Sequence, residues 1–110
     1  MEILGSPGYQ ILVLEQDGRL ISSCTLLIIP NLTHHQRPYA LVENVVTHPD
    51  YRGRGCATAV LHHARALARQ VGCYKIMLLT GSKRESTLSF YRHAGYRDDL
   101  KTGFCQKLDG

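Results

Sequence analysis

Residues 10–15 (QILVLE) and 19–29 (RLISSCTLLII) are almost continuous runs of apolar and β-branched side chains, separated by Gln16-Asp17-Gly18. Asp-Gly between two such runs signals a tight hairpin, so the pattern predicts two antiparallel strands. The segment from Pro30 to Pro38 has two prolines bracketing polar residues and reads as a loop. A third strand is predicted over 39–48 (YALVENVVTH), ended by Pro49, which cannot donate to a ladder. From Gly55 the period changes. Ala57, Val60, Leu61, Ala64, Leu67, Ala68 and Val71 recur at spacings of three and four, which places them on one face of a helix, and Gly72 stands where a C-terminal cap is wanted. Residues 74–80 (YKIMLLT) predict a short strand covered on both faces. A second helix is predicted from Lys83 to Ala94, opened by a Ser82/Glu85 capping box and closed at Gly95, and a final strand over 103–108 (GFCQKL). The predicted order is β-β-β-α-β-α-β, without internal repeat or linker.

At 110 residues and 44% hydrophobic content, the chain is of a size to bury one core, so a single domain is expected. The longest apolar stretch, Cys24 to Pro30, is too short to span a bilayer, and the N-terminal residues lack a secretory pattern. A cytoplasmic protein with no membrane partner is therefore expected. Cys24, Cys56, Cys73 and Cys105 show no paired spacing. The adjacent pair His62 and His63 cannot face one metal from a helix, so no metal site is expected. The net charge of +4 suits any anionic ligand. Because the basic residues are dispersed, with no interleaved aromatic residues to stack on bases, nucleic acid is not expected as a partner.

The most informative stretch is Tyr51-Arg52-Gly53-Arg54-Gly55-Cys56-Ala57, between the third strand and the first helix. Glycines and small residues let backbone approach a ligand closely. Amides at a helix N-terminus lack intrahelical partners, and the helix dipole adds positive potential there, so a phosphate fits. Arg52 and Arg54 would add charge-assisted contacts. Two glycines also make a tight strand-to-helix connection that needs no ligand. No P-loop pattern occurs, and the dinucleotide pattern G-x-G-x-x-G is incomplete.

At this turn the sequence resembles the acetyl-CoA-binding motif of the GNAT (GCN5-related N-acetyltransferase) family, Q/R-x-x-G-x-G/A, met by Arg52, Gly55 and Ala57. The resemblance runs from about Gln10 to the C-terminus. Through VENVV, YRGRG, GCYKI and FYRHAGY it is most similar to glucosamine-6-phosphate N-acetyltransferases. It implies an α/β (α+β) fold with a mixed, mostly antiparallel sheet, helices on both faces and splayed central strands. It further implies that amides of Arg52, Gly53, Arg54, Gly55, Cys56 and Ala57 cradle the pyrophosphate of acetyl-CoA, while the main chain of Val45, Val46 and Thr47 pairs with the pantetheine arm.

Tyr91 matches the tyrosine of the family motif F/L-Y-x-x-x-G-F/Y and is implied to protonate the departing thiolate. Direct transfer needs a neutral amine, and Glu43 is the acidic candidate for taking its proton. By alternation Glu43 shares a face with Leu41, Val45 and Thr47. His34, His35 and Arg37 fall in the loop that borders the slot in the family's fold. Arg84 and Thr87 depart from the family pattern, where many relatives carry Asn and Ala. About nine residues precede the first predicted strand, so the resemblance implies a domain lacking most of the usual N-terminal strand and two helices. The expected function is acetyl transfer to a small-molecule or peptidyl amine, with a homodimer as a further expectation. A non-catalytic acyl-CoA-binding module is the alternative.

Overall fold

The computed structural model describes residues 2–109. Five strands and two helices follow in the order β1 (Glu2–Ser6), β2 (Tyr9–Gln16), β3 (Arg19–Ile29), β4 (Tyr39–Thr47), α1 (Cys56–Gln70), β5 (Ile76–Leu78) and α2 (Glu85–His93). The chain divides into two compact units, Met1–Leu78 and Leu79–Gly110.

The first unit is one sheet in the order β1-β2-β3-β4-β5. Its pairings are antiparallel except the last, where β5 runs parallel to β4. The β2–β3 hairpin turns on Asp17 at φ 53° and Gly18 at φ 73°. Positive φ at both central residues is the backbone that a two-residue hairpin with right-handed twist requires, and Asp-Gly supplies it at low steric cost. Helix α1 packs across β2, β3 and β4 and buries Val60, Leu61, Ala64 and Ala68, which are the three-and-four spacings read from the sequence. Against them lie Leu12, Cys24, Leu26, Ala40 and Val42, all at most 1% exposed, which make this the core. The helix ends on Val71, with Gly72 beyond it at φ 84°. That left-handed residue is the cap the sequence predicts.

The 3-10 turn His34–Gln36 holds three consecutive non-glycine residues at left-handed φ, 53°, 59° and 62°. Each costs about 1–2 kcal/mol. Offsetting contacts surround the turn. The Arg37 guanidinium donates to the carbonyls of Gly72 (2.9 Å) and Cys73 (3.2 Å), and His34 stacks on Tyr74 at 3.9 Å between centroids. Hydrogen bonds from a charged donor contribute about 1.5–3 kcal/mol each and a ring pair about 0.5–1.5, which matches the backbone cost.

Several expectations need correction. Strand β1 precedes the first predicted strand and pairs with β2 from Glu2↔Val13 to Ser6↔Tyr9. Strand β5 is three residues long, not seven, and its residues are half-buried. In the second unit Ser82 does not cap α2. Its hydroxyl accepts from the Arg84 amide at 3.3 Å and donates to Thr87 Oγ1 at 3.1 Å, so it closes a local turn, and the helix begins at Glu85 with Arg84 as its N-cap. The C-terminal side matches the pattern: Ala94 caps the helix and Gly95 follows at φ 103°. No strand forms over 103–108. Among the described residues that stretch has no ladder partner and stays exposed, Phe104 at 92%, and an unpaired run of six residues does not hold as a strand.

Candidate functional site

Strand β4 leads through the short turn Pro49–Tyr51 into the glycine segment and then into α1. Gly53 and Gly55 both sit at φ 78°, and a Cβ built on either meets no heavy atom within 4 Å. The backbone therefore needs glycine for its conformation while open space lies where side chains would stand. Gly55 is the N-cap of α1 and offers no side-chain cap bond, and the first turn of α1 contains no acidic residue. Ordinarily a side chain or a carboxylate satisfies the free amides of a helix start. Here no side chain of the first turn takes the donors or offsets the positive end of the dipole, so both are open to solvent or to a ligand. Arg52 and Arg54 are exposed beside them, with the Arg54 guanidinium 5.2 Å from the Tyr51 ring centroid.

The second half of β4 is an open edge. Strand β5 pairs only with Ala40, Leu41 and Val42, so among the described residues 43–47 have strand contacts on the β3 side alone. Strand β5 ends at Leu78, opposite Val42, so the ladder between the two parallel strands stops just before Glu43. A bulge lies at the same point. Thr25 pairs with Glu43 and Ser23 with Val46, so Asn44 and Val45 together oppose Cys24, and Asn44 adopts φ 54°. The extra residue reverses the alternation. Thr47 pairs with Ser22 and hydrogen-bonds its side chain at 3.0 Å, which puts Thr47 on the face of Val42 rather than that of Glu43 and Leu41. The expected alternation through Thr47 is thus corrected, because a bulge shifts every later residue by one.

Ser22 holds this segment. It is fully buried, and its hydroxyl donates to the Val46 carbonyl at 3.0 Å. The His48 amide donates to the Ile21 carbonyl of β3 at 2.7 Å, so by alternation the main chain of Thr47 faces the opposite, open edge. Sequence reasoning missed Ser22. The available signal was Ser22-Ser23 inside a strand that is otherwise almost wholly apolar.

The remaining candidates are more dispersed. Glu43 is exposed on β4, immediately before the bulge. Tyr91 belongs to the second unit, where its ring lies edge-on to Phe90 (5.1 Å) and Tyr96 (6.4 Å), and its carbonyl accepts from the Tyr96 amide. His34 and Arg37 are engaged in the loop contacts described above. His35 is exposed. Burial pushes the Cys24 thiol up to about 11 and raises Cys73 as well, the latter opposed by the charge of Arg37. Among the described residues no group of three His, Cys, Asp or Glu side chains is arranged to hold a metal.

The model of the acetyltransferase (GNAT) family matches residues 2–96. Glucosamine 6-phosphate N-acetyltransferase of Trypanosoma brucei brucei is 36% identical over 80 residues, 73% of this chain and 52% of that protein. A solved putative acetyltransferase from Agrobacterium tumefaciens is 44% identical with a TM-score of 0.88, covering 93% of this chain and 70% of that one. An aminoglycoside N-acetyltransferase solved in complex with CoA superposes with a TM-score of 0.76 at 17% identity, over 91% of this chain and 76% of that one, and shares the fold. The chain spans about half the length of the curated relatives it matches. Its left-handed glycine turn, open β4 edge and family match lead to one assignment: the chain belongs to the GNAT acetyltransferase family.

Proposed function

We propose that this chain carries the acetyl-CoA-binding half of an N-acetyltransferase and takes part in direct transfer of an acetyl group to a primary amine. The observation that carries the reading is the continuity of the open β4 edge with the uncapped N-terminus of α1. A ligand with an amide-bearing arm and a pyrophosphate matches those two features in that order. The pyrophosphate would lie against amides of 52–57, and the pantetheine arm would take those main-chain groups of the segment Val45 to Thr47 that face away from β3, Thr47 foremost.

In the reaction the amine nitrogen attacks the thioester carbon. An N–C bond forms, the C–S bond breaks, and coenzyme A leaves as a thiolate that takes a proton. Tyr91 is our candidate for that proton, and Glu43, directly or through water, for accepting the one the amine loses. Similarity to glucosamine 6-phosphate N-acetyltransferase supports an amino sugar phosphate as the first acceptor to try. A cytoplasmic homodimer is part of the same proposal. No helix among the described residues is long and apolar enough to cross a membrane.

Thiol release from acetyl-CoA over an amine panel, alongside calorimetric titration with acetyl-CoA, tests the reading. Binding and amine-dependent thiol release are expected. Binding without release would assign an acyl-CoA-binding module, and no binding at millimolar acetyl-CoA would refute both.

A further inference from the structure

Where α1 ends, its last turns, the connection over 71–75 and the start of β5 enclose an open depression of about 290 Å3. Arg65, Arg69, Cys73, Tyr74, Lys75 and Ile76 line it. Three of these side chains are cationic and none is acidic. Among the described residues the ion pairs involve Arg19, His48, Arg92 and Arg97, so no carboxylate neutralises Arg65, Arg69 or Lys75.

The walls are fixed in advance. The Lys75 ammonium lies 5.0 Å from the Tyr39 ring centroid and 5.4 Å from that of Tyr74. Tyr74 is in turn stacked on His34, and its amide donates to the Pro38 carbonyl at 3.1 Å. Arg37 holds the Gly72 and Cys73 carbonyls at the rim. Arg65 and Arg69 are four apart on α1, so they share a helix face and repel one another unless an anion lies between them. Arg69, in the last turn, also complements the helix dipole. That effect fades within one turn and accounts for neither Arg65 nor Lys75.

We infer that this depression is a second anion site, separate from the glycine turn, for a small phosphate ester. Two guanidinium groups match phosphate oxygens in bidentate geometry, and an ammonium adds a third charge. The volume stands at the lower end of the roughly 300–1,000 Å3 typical of ligand pockets, which favours a compact anion over an extended one. A 15-residue helix rises about 22 Å, so an anion here is a separate ligand from any held at the N-terminus of α1. Bound at this end, it ties the last turns of α1 to the strand that begins at Ile76. The inference does not rest on the acetyl-transfer reading.

The test is a titration of the 15N-labelled chain with sodium pyrophosphate, followed amide by amide and repeated with sodium chloride of matched ionic strength. Saturable shifts at 73–76 are expected, resolved in the same spectra from any response of 53–57. The double substitution Arg69→Gln/Lys75→Gln should weaken the 73–76 response about 100-fold or more, since each of the two charge-assisted bonds lost contributes about tenfold, and leave that of 53–57 unchanged. If the double variant unfolds, Arg65→Gln at an exposed helix position gives the same test. Shifts confined to 53–57, equal affinity in the variants, or an identical response to sodium chloride would overturn the site. A short DNA duplex that perturbs 73–76 more strongly than pyrophosphate would overturn the small-ester assignment in favour of a nucleic-acid backbone.

Discussion

Gly55 and Gly18 form a matched pair for testing whether the glycine turn exists for a ligand. Both are left-handed, at φ 78° and 73°, and a Cβ built on either meets nothing within 4 Å. Alanine at either position therefore adds no clash in the free chain and carries only the backbone cost of about 1–2 kcal/mol. For a domain near this size that lowers Tm by roughly 5–10 °C. Gly55 is also an N-cap, where alanine is poorer than glycine, so its cost should exceed that of Gly18 by no more than about 1 kcal/mol. The two variants separate when acetyl-CoA is added. A methyl group at 55 fills space a phosphate would occupy and displaces one or two hydrogen bonds to a charged group, about 1.5–3 kcal/mol each. The Kd for acetyl-CoA should rise roughly 10- to 100-fold or more in Gly55→Ala and stay unchanged in Gly18→Ala. Scanning calorimetry gives the stability terms and isothermal titration the affinities. Equal acetyl-CoA affinity in all three proteins would refute the reasoning, because the open space above Gly55 would then have no ligand to serve.

Three further outcomes are expected. Ser22→Ala removes two part-buried hydrogen bonds, to the Val46 carbonyl and the Thr47 hydroxyl, at about 0.5–1.5 kcal/mol each, so urea unfolding should show a loss of about 1–3 kcal/mol. The thiol of Cys24, raised from 9.0 to about 11 by burial, holds its proton more tightly when folded. Its contribution is complete below pH 9 and disappears as pH rises through about 11, a loss on the order of 2–3 kcal/mol that unfolding midpoints should lack in Cys24→Ala. Tyr91→Phe should lower kcat about 100-fold or more while leaving the acetyl-CoA Kd unaltered, and an unchanged kcat would remove Tyr91 as the acid.

What the sequence made legible was local. Asp17-Gly18 encodes its own backbone, and the spacing from Val60 to Ala68 encodes the buried face of α1 because both depend on neighbours within a few residues. The glycine turn was legible for the same reason. The bulge at Asn44-Val45 was not, since it is a mismatch between two strands and neither strand alone carries it. Residues 103–108 have the composition of a strand without a partner, and Ser82 has the spacing of a cap while a nearer amide takes its hydroxyl. The role of Ser22 depends on the β3–β4 register, which periodicity does not reveal.

The half of β4 that has a strand on one side alone has a consequence for handling the protein. An open strand edge does not discriminate between an amide-bearing arm and another polypeptide, and Val46 beside it is 54% exposed. Any occupant that satisfies those main-chain groups also shields them, so the liganded chain should tolerate concentration better than the free one. Keeping that edge filled is then a solubility device in its own right.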